Sequence, residues 1–327
     1  MAKKLIFAYV LMLVIGIIAL SPALTLAKGP FNLKAVTFLP KNNSFCDAFF
    51  MFKKELEKRA KGDLLINYAG GPEAIPSFEQ IEAVTNGMVD LVLLPAAYYV
   101  PQLPVANAIK LSTLMPWEER KRGAYDFLNR LHQKKLNVYY LGRFSPGIKF
   151  HLYLNRKIDR PRLTGMKIRV TPIYKGVVQA LGGIPVTIAP GEVYTALERG
   201  VVDGYGWPSV KISDFGWHEV TKYIIDPGFY QVDVGILVNL NTWNKLSPEL
   251  RQIMIDTAKQ VEHRAADHYA RLIKEEREFI TSKGVKVINF CPEDEKEYLR
   301  VAYKAGWDEV LKKSPELGAQ YKGLLGQ

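Results

Sequence analysis

The chain has 327 residues, 48% hydrophobic and 24% charged, with a formal net charge of +11. This is the composition of an ordinary globular protein, long enough for two lobes with a sizeable core, and it excludes a disordered or fibrous chain. The basic balance favours small anionic partners without arguing for nucleic acid, and two cysteines are too few for a disulfide framework.

Lys3 and Lys4 precede an apolar run from Leu5 to Leu20, followed by Ser21-Pro22 and the small-residue ending Thr25-Leu26-Ala27. That is a secretory signal pattern with cleavage expected after Ala27. The competing reading is an uncleaved anchor helix, against which the Pro22 break and the Ala27 site both count. No cysteine follows the run, so a lipid anchor is not expected. Removing 27 residues leaves 300, and losing two lysines with no acids takes the charge from +11 to +9. No other stretch approaches the ~20 apolar residues that cross a bilayer. The expected product is soluble and exported.

Leu33 to Phe38 reads as a strand, and Ser44 can cap a helix running to Ala60 and ended by Gly62. Lys53, Lys54, Lys58, Arg59 and Lys61 share that helix with Glu55 and Glu57, which reads as a solvated face. Cys46 lies among its apolar residues; it is either core or one half of a bridge to Cys291. A second strand, Leu64 to Tyr68, enters Gly70-Gly71-Pro72, a turn that permits close backbone approach.

Phe78 to Asp90 then aligns without a gap on Gly191 to Asp203, with Glu79/Glu192, Ala83/Ala196, Gly87/Gly200, Val89/Val202 and Asp90/Asp203 identical. A helix, a Gly stop and a Val-Asp strand in each half point to two related lobes. Between such lobes lies a cleft, a preferred place for ligands. The apolar strand after Asp90 ends on Pro95. Ligands of open α/β sheets sit beyond the carboxyl ends of the strands, so Tyr98 and Tyr99 are candidate cleft residues. Their alternative is packing under the loop from Pro101 to Pro104.

Trp117 to Leu131 reads as helix and Asn137 to Leu141 as strand. The chain changes lobes at the strand Lys149 to Asn155 and returns in the β-branched run Val232 to Asn239. Two crossings make a hinge of the kind that closes around ligands. Met166, Ile168 and Val170 alternate with Lys167 and Arg169 before Pro172 forces an exit. Arg169 is thus a cation near the carboxyl end of a strand. Glu192 to Arg199 is a short helix stopped by Gly200. Ser247 and Pro248 open a helix reaching Lys283, about 54 Å at ~1.5 Å per residue and longer than one lobe. A strand at Val285 to Ile288 and a helix after Pro292 complete the second lobe.

Catalytic motifs are missing. Gly142 to Gly147 has the wrong spacing for a nucleophile elbow. His218-Glu219 lacks the second histidine of a zinc helix, and His263 and His268 are five apart. Neither a metal, a cofactor nor enzymatic activity is expected.

The run K-I-R-V at 167–170, then Gly182-Gly183-Ile184-Pro185, then E-V-Y-T-A-L-E-R-G-V-V-D-G at 192–204, resembles the signature of the periplasmic substrate-binding proteins of TRAP transporters, the DctP-like group. Gly70-Gly71-Pro72-Glu73 with Glu79 to Ala83, and the run from Val238-Asn239 to Ser247-Pro248, resemble that group too. The resemblance spans nearly the whole mature chain. It implies an α/β, two-lobed periplasmic-binding-protein-like fold with a hinge, a cleft and a long bracing helix. Lobe I would comprise 28–146 with approximately 233–273, and lobe II 147–232 with approximately 274–327, after a signal peptide at 1–27. It further implies a monomer that binds one small organic anion and delivers it to TRAP membrane permease subunits. A ligand-sensing or storage protein of the same fold is the alternative.

The resemblance also implies that Arg169 grips the substrate carboxylate, as a planar fork can. A gapless match places a second cation at Lys149, with Arg143 the alternate if the register slips. Where the family commonly reads Q-E-N-P, this chain has Tyr205-Gly206-Trp207-Pro208, so Trp207 replaces an asparagine. With Tyr98, Tyr99 and Phe229-Tyr230 it would line the cleft with aromatics and favour an apolar-bodied acid over a sugar acid or dicarboxylate. The competing reading turns Trp207 outward behind Pro208 and leaves the pocket to Tyr205.

Overall fold

The computed structural model describes residues 29–327; the signal-peptide expectation at 1–27 lies outside them. Two sheets organise the chain. The first holds β1 (Phe31–Thr37), β2 (Leu64–Gly70), β3 (Leu91–Pro95), β4 (Val138–Arg143) and β10 (Val234–Asn239), in the order β2-β1-β3-β10-β4. The second holds β5 (Phe150–Leu154), β6 (Lys167–Val170), β7 (Ile184–Thr187), β8 (Gly204–Pro208), β9 (Tyr223–Asp226) and β11 (Lys286–Asn289), in the order β11-β9-β5-β8-β6-β7. Each is a parallel trio beside an antiparallel strand that arrives from the other lobe: β10 against β3, β5 against β8. The central strands read as continuous apolar runs because both of their faces are covered; β3 and β10 are buried at every residue.

The repeat detected in the sequence is a repeat of bonds. Asp90 accepts from the Lys34 backbone at 2.8 Å, and Asp203 accepts from Lys167 at 2.8 Å. Met88 N–H donates to Ala83 C=O at 2.9 Å, and Val201 to Ala196 at 2.8 Å. Gly87 and Gly200 both adopt the left-handed conformation, φ 75° and 67°, that ends each helix.

Three local expectations need correction. Asn43, not Ser44, caps the first helical turn, and the α-helix runs Asp47–Arg59. The helix expected over Trp117 to Leu131 is two, Pro116–Lys121 and Ala124–Leu136, broken at Gly123 with φ 75°. The chain's last helix, Pro315–Leu325, packs on lobe I rather than lobe II: Tyr321 stacks on Phe127 at 6.0 Å, and Arg122 donates to Leu325 C=O at 2.9 Å. Its predecessor, Pro292–Lys313, packs against both lobes through the segments Pro104–Leu111 and Lys175–Ala180.

Ser247 caps the long helix, Pro248–Ser282, by accepting from Leu250 N–H at 3.2 Å. At ~1.5 Å per residue the helix is about 52 Å long. Arg120 grips its Glu262 at 2.7 Å and Asp47 its His268 at 2.8 Å, both from lobe I. Further along, Glu276 accepts from the Ser213 backbone at 2.9 Å and Arg277 pairs with Asp226, both in lobe II. The helix therefore braces the two lobes. Cys46 is buried and Cys291 exposed, and both are free thiols.

Candidate functional site

Arg169 sits in β6 opposite Tyr205 of β8, and its side chain is 1% exposed. Its Nε donates to Ile188 C=O at 2.9 Å and its Nη1 to the Tyr174 hydroxyl at 3.1 Å. Tyr174 in turn donates to Gly206 C=O at 2.6 Å. These bonds fix the plane of the guanidinium and leave Nη2 without a bond to another described residue. The other fully buried arginine, Arg143, is neutralised by Glu119 at 2.9 Å; among the described residues no carboxylate pairs with Arg169. A buried charge without a counter-ion is expensive.

Trp207 is half-buried at the end of β8, with the Arg169 guanidinium 5.6 Å from its ring centre. Its ring meets Trp217 edge-on at 4.8 Å and Phe215 at 5.5 Å. Lys149 is exposed just before β5, and its carbonyl accepts from Ser209 N–H at 2.8 Å, beside the same end of β8. Tyr98 is partly exposed at the carboxyl end of β3. It packs on Phe38 at 5.8 Å and on Phe78 at 4.7 Å, and Phe78 is 76% exposed. Burial raises the Tyr98 phenol above its ordinary range.

The other candidates are enclosed by their own lobes. Tyr99 is enclosed in the lobe I core, bonded to His132 at 3.1 Å. Tyr205 is fully buried in lobe II, stacked on Tyr153 at 4.9 Å and bonded to Thr221 at 2.9 Å. Phe229 is fully buried between Phe150 and Tyr174. Arg143, the alternate cation, belongs to lobe I: besides Glu119 it binds Gln231 at 2.6 Å and Leu114 C=O at 2.7 Å.

Two residues escaped the sequence reading. Tyr174 follows Pro172 in a short 3-10 turn and is the residue that holds the anchor. A signal was present: Gly206 interrupts a strand, and a Cβ there would come within 2.4 Å of the Tyr174 ring. Lys110 is the other, 1% exposed in lobe I, donating to Ile173 C=O of lobe II at 2.7 Å. Burial lowers its amine to about 8, partly offset by Glu309 and Asp233. Burial likewise pushes Asp233, in the second crossing, up to about 6 against the pull of Lys110. The only hint in the sequence is one cation inside the apolar run Val105 to Leu111.

Two sheets of matching topology, crossings at 144–149 and 227–233, and a buried unpaired cation at a strand end define a two-lobed solute-binding protein. Residues 35–314 match the model of the DctP family, bacterial extracellular solute-binding protein family 7, and the chain belongs to that family. A monocarboxylate 2-oxoacid-binding periplasmic protein of Nostoc sp. is 24% identical over 287 residues, 84% of this chain and 76% of that protein. A TRAP periplasmic solute-binding protein of Desulfovibrio salexigens, solved with orotic acid, superposes with a TM-score of 0.77 at 20% identity, over 90% of this chain and 99% of that one. One from Sulfitobacter, solved with β-D-galacturonate, gives a TM-score of 0.74 at 18% identity, over 90% of this chain and all of the other.

Proposed function

We propose that this chain is an extracytoplasmic receptor that captures one organic acid with an apolar body and hands it to a TRAP-type permease. The observation that carries the reading is Arg169: buried, oriented by Tyr174 and Ile188, and lacking a carboxylate partner among the described residues. A ligand carboxylate supplies that partner bidentately, while Lys149 adds a point charge at the rim. Export by the signal sequence would deliver the chain to the compartment where its relatives work.

The relatives take acids as different as a planar ring and a sugar, so the fold leaves the ligand body open and local side chains choose it. Trp207 offers a broad ring where an amide would bond hydroxyls, and Tyr98 with Phe38 supplies a second aromatic wall. A polyhydroxylated acid would leave hydroxyls unpaired here at ~1–3 kcal/mol each. An acid carrying a ring gains about 0.5–1.5 kcal/mol by stacking. A thermal-shift panel of aromatic, branched aliphatic, sugar and dicarboxylic acids tests this. Stabilisation by aromatic or branched monocarboxylates is expected, and stabilisation by sugar acids or short dicarboxylates alone would overturn it.

A further inference from the structure

Lobe II carries a row of lysines at the end of its sheet where β6, β8, β9 and β11 begin. Backbone bonds tie the row together across all its strands. Ile184 pairs with Lys167, and Asp203 N–H donates to Lys167 C=O at 2.7 Å. Asn155 donates to Asp203 C=O at 3.0 Å, Lys222 to Leu154 C=O at 3.0 Å, and Lys286 to Lys222 C=O at 2.9 Å. At ~4.8 Å per strand the row is about 24 Å wide. Lys167, Lys222 and Lys286 are exposed in it, and the Asp203 carboxylate is taken by the Lys167 backbone. The corresponding residues of lobe I, Asn67, Lys34, Asp90 and Asn239, hold a single lysine. The loops 156–165, 199–202 and 283–285 leave the row and add Arg156, Lys157, Arg160, Arg162, Arg199 and Lys283, all exposed, against one acid, Asp159. Lys157 has Asp159 at 2.9 Å and Arg160 has Asp294 at 3.9 Å; none of the other cations is in an ion pair among the described residues. Two of the six large apolar side chains exposed among the described residues stand with them, Ile184 in the row and Val201 two residues before Asp203.

We infer that this end of lobe II docks on anionic phospholipid headgroups at a bilayer surface. A face that serves only solvation mixes charges of both signs, and this one is almost entirely positive. Protein interfaces gather aromatic residues at their centre and are depleted in lysine, whereas this row has three lysines and no aromatic residue. Lysines that reach lipid phosphates while Ile184 and Val201 enter the headgroup layer make a peripheral membrane contact. The Arg169 anchor lies towards the other end of β6, so the inference does not rest on it. A chain held this way searches a surface rather than a volume for a membrane partner.

Flotation of the mature chain with vesicles tests this, comparing pure phosphatidylcholine with an equal mixture of phosphatidylcholine and phosphatidylglycerol. Wild type should float with the anionic vesicles at low salt, not with the neutral ones, and should be released as salt screens the lysines. Lys222→Glu with Lys286→Glu should lower the partition constant about tenfold or more. Lys54→Glu with Lys58→Glu changes the net charge equally on an exposed face of lobe I, and should change partitioning by less than about threefold. Ile184→Ser with Val201→Ser should weaken partitioning about threefold at the same salt. All three pairs should melt close to wild type, because these side chains are exposed. Equal binding to the two kinds of vesicle, an equal loss in the two lysine pairs, or no binding at low salt would overturn the inference. Retention on immobilised polyglutamate without vesicle binding would assign the surface to an acidic protein and overturn it likewise.

Discussion

The two lobes use one strand plan for different ends. The shared Asp bonds, Asp90 to Lys34 and Asp203 to Lys167, set the equivalence. Counting from them, lobe I places Val36, Leu93 and Leu94 where lobe II places Arg169, Gly206 and Trp207. Pro95 and Pro208 end both strands alike. Val36, Leu93 and Leu94 are fully buried and close the lobe I core. In lobe II a guanidinium sits at the equivalent depth, and the missing side chain at Gly206 admits the Tyr174 ring that holds it. The backbone supplies a position at a strand end. Three substitutions turn that position from apolar core into a buried cation, at a cost in desolvation that a bound acid would offset.

Erasing the difference at its centre should have the largest effect. Arg169→Ala is expected to lose about 2–5 kcal/mol of ligand binding, with Arg169→Lys recovering only part because it lacks the fork. Arg169→Ala should unfold cooperatively, since removing a buried unpaired cation relieves a penalty. Near-native affinity in folded Arg169→Ala, measured by calorimetry, would assign the anchor elsewhere. Moving Gly206 towards its lobe I counterpart comes next. Gly206→Ala would press on Tyr174 and cost about 1–3 kcal/mol of stability, with weaker ligand binding. Adding Tyr174→Leu should restore denaturation stability but not affinity, a non-additivity expected only if the two share one space.

The link between the lobes gives a smaller effect. Lys110→Met removes the bond to Ile173, the neighbour of Tyr174, and takes from buried Asp233 the cation that holds its carboxyl down, so some stability should be lost. Affinity should fall by about 1 kcal/mol, roughly fivefold, and unchanged affinity would show that the link plays no part in holding the anchor.

The smallest effect separates the two attachments of the long helix. Burial raises the Glu262 carboxyl despite Arg120. At Asp226 burial also raises the carboxyl, but the bonds from His151 and Arg277 outweigh it and hold it well below the usual range. A depressed carboxyl contributes stability above its ordinary value near ~3.9 and loses it as the pH falls towards its folded value. Asp226→Asn should therefore lower the melting temperature at neutral pH and converge on wild type in acid. A gap that persists unchanged from pH 7 to pH 3 would contradict this assignment.

Much of this was legible in the residues alone. Alternation in 166–170, the Gly stops at Gly87 and Gly200, the duplicated Val-Asp start and the Ser247-Pro248 cap are local signals, set by backbone sterics and nearest-neighbour bonds, and each element formed where they stand. The same locality failed where partners are distant in sequence. Tyr98 and Tyr99 are adjacent and equally aromatic, yet one edges the surface while the other bonds His132 in the core. Trp207 and Tyr205 alternate with glycines, and only packing against Trp217, Thr221 and Arg169 tells rim from core. Arg143 and Arg169 look alike as strand-end cations. What separates them is an acid 24 residues earlier, folded onto one and not the other. Sequence by itself determined most of the strands, though not Ile184–Thr187 or Tyr223–Asp226, together with the repeat and which cations stand at strand ends. Tertiary structure decided which of those cations is left unpaired, because charge compensation depends on neighbours that only the folded chain brings together.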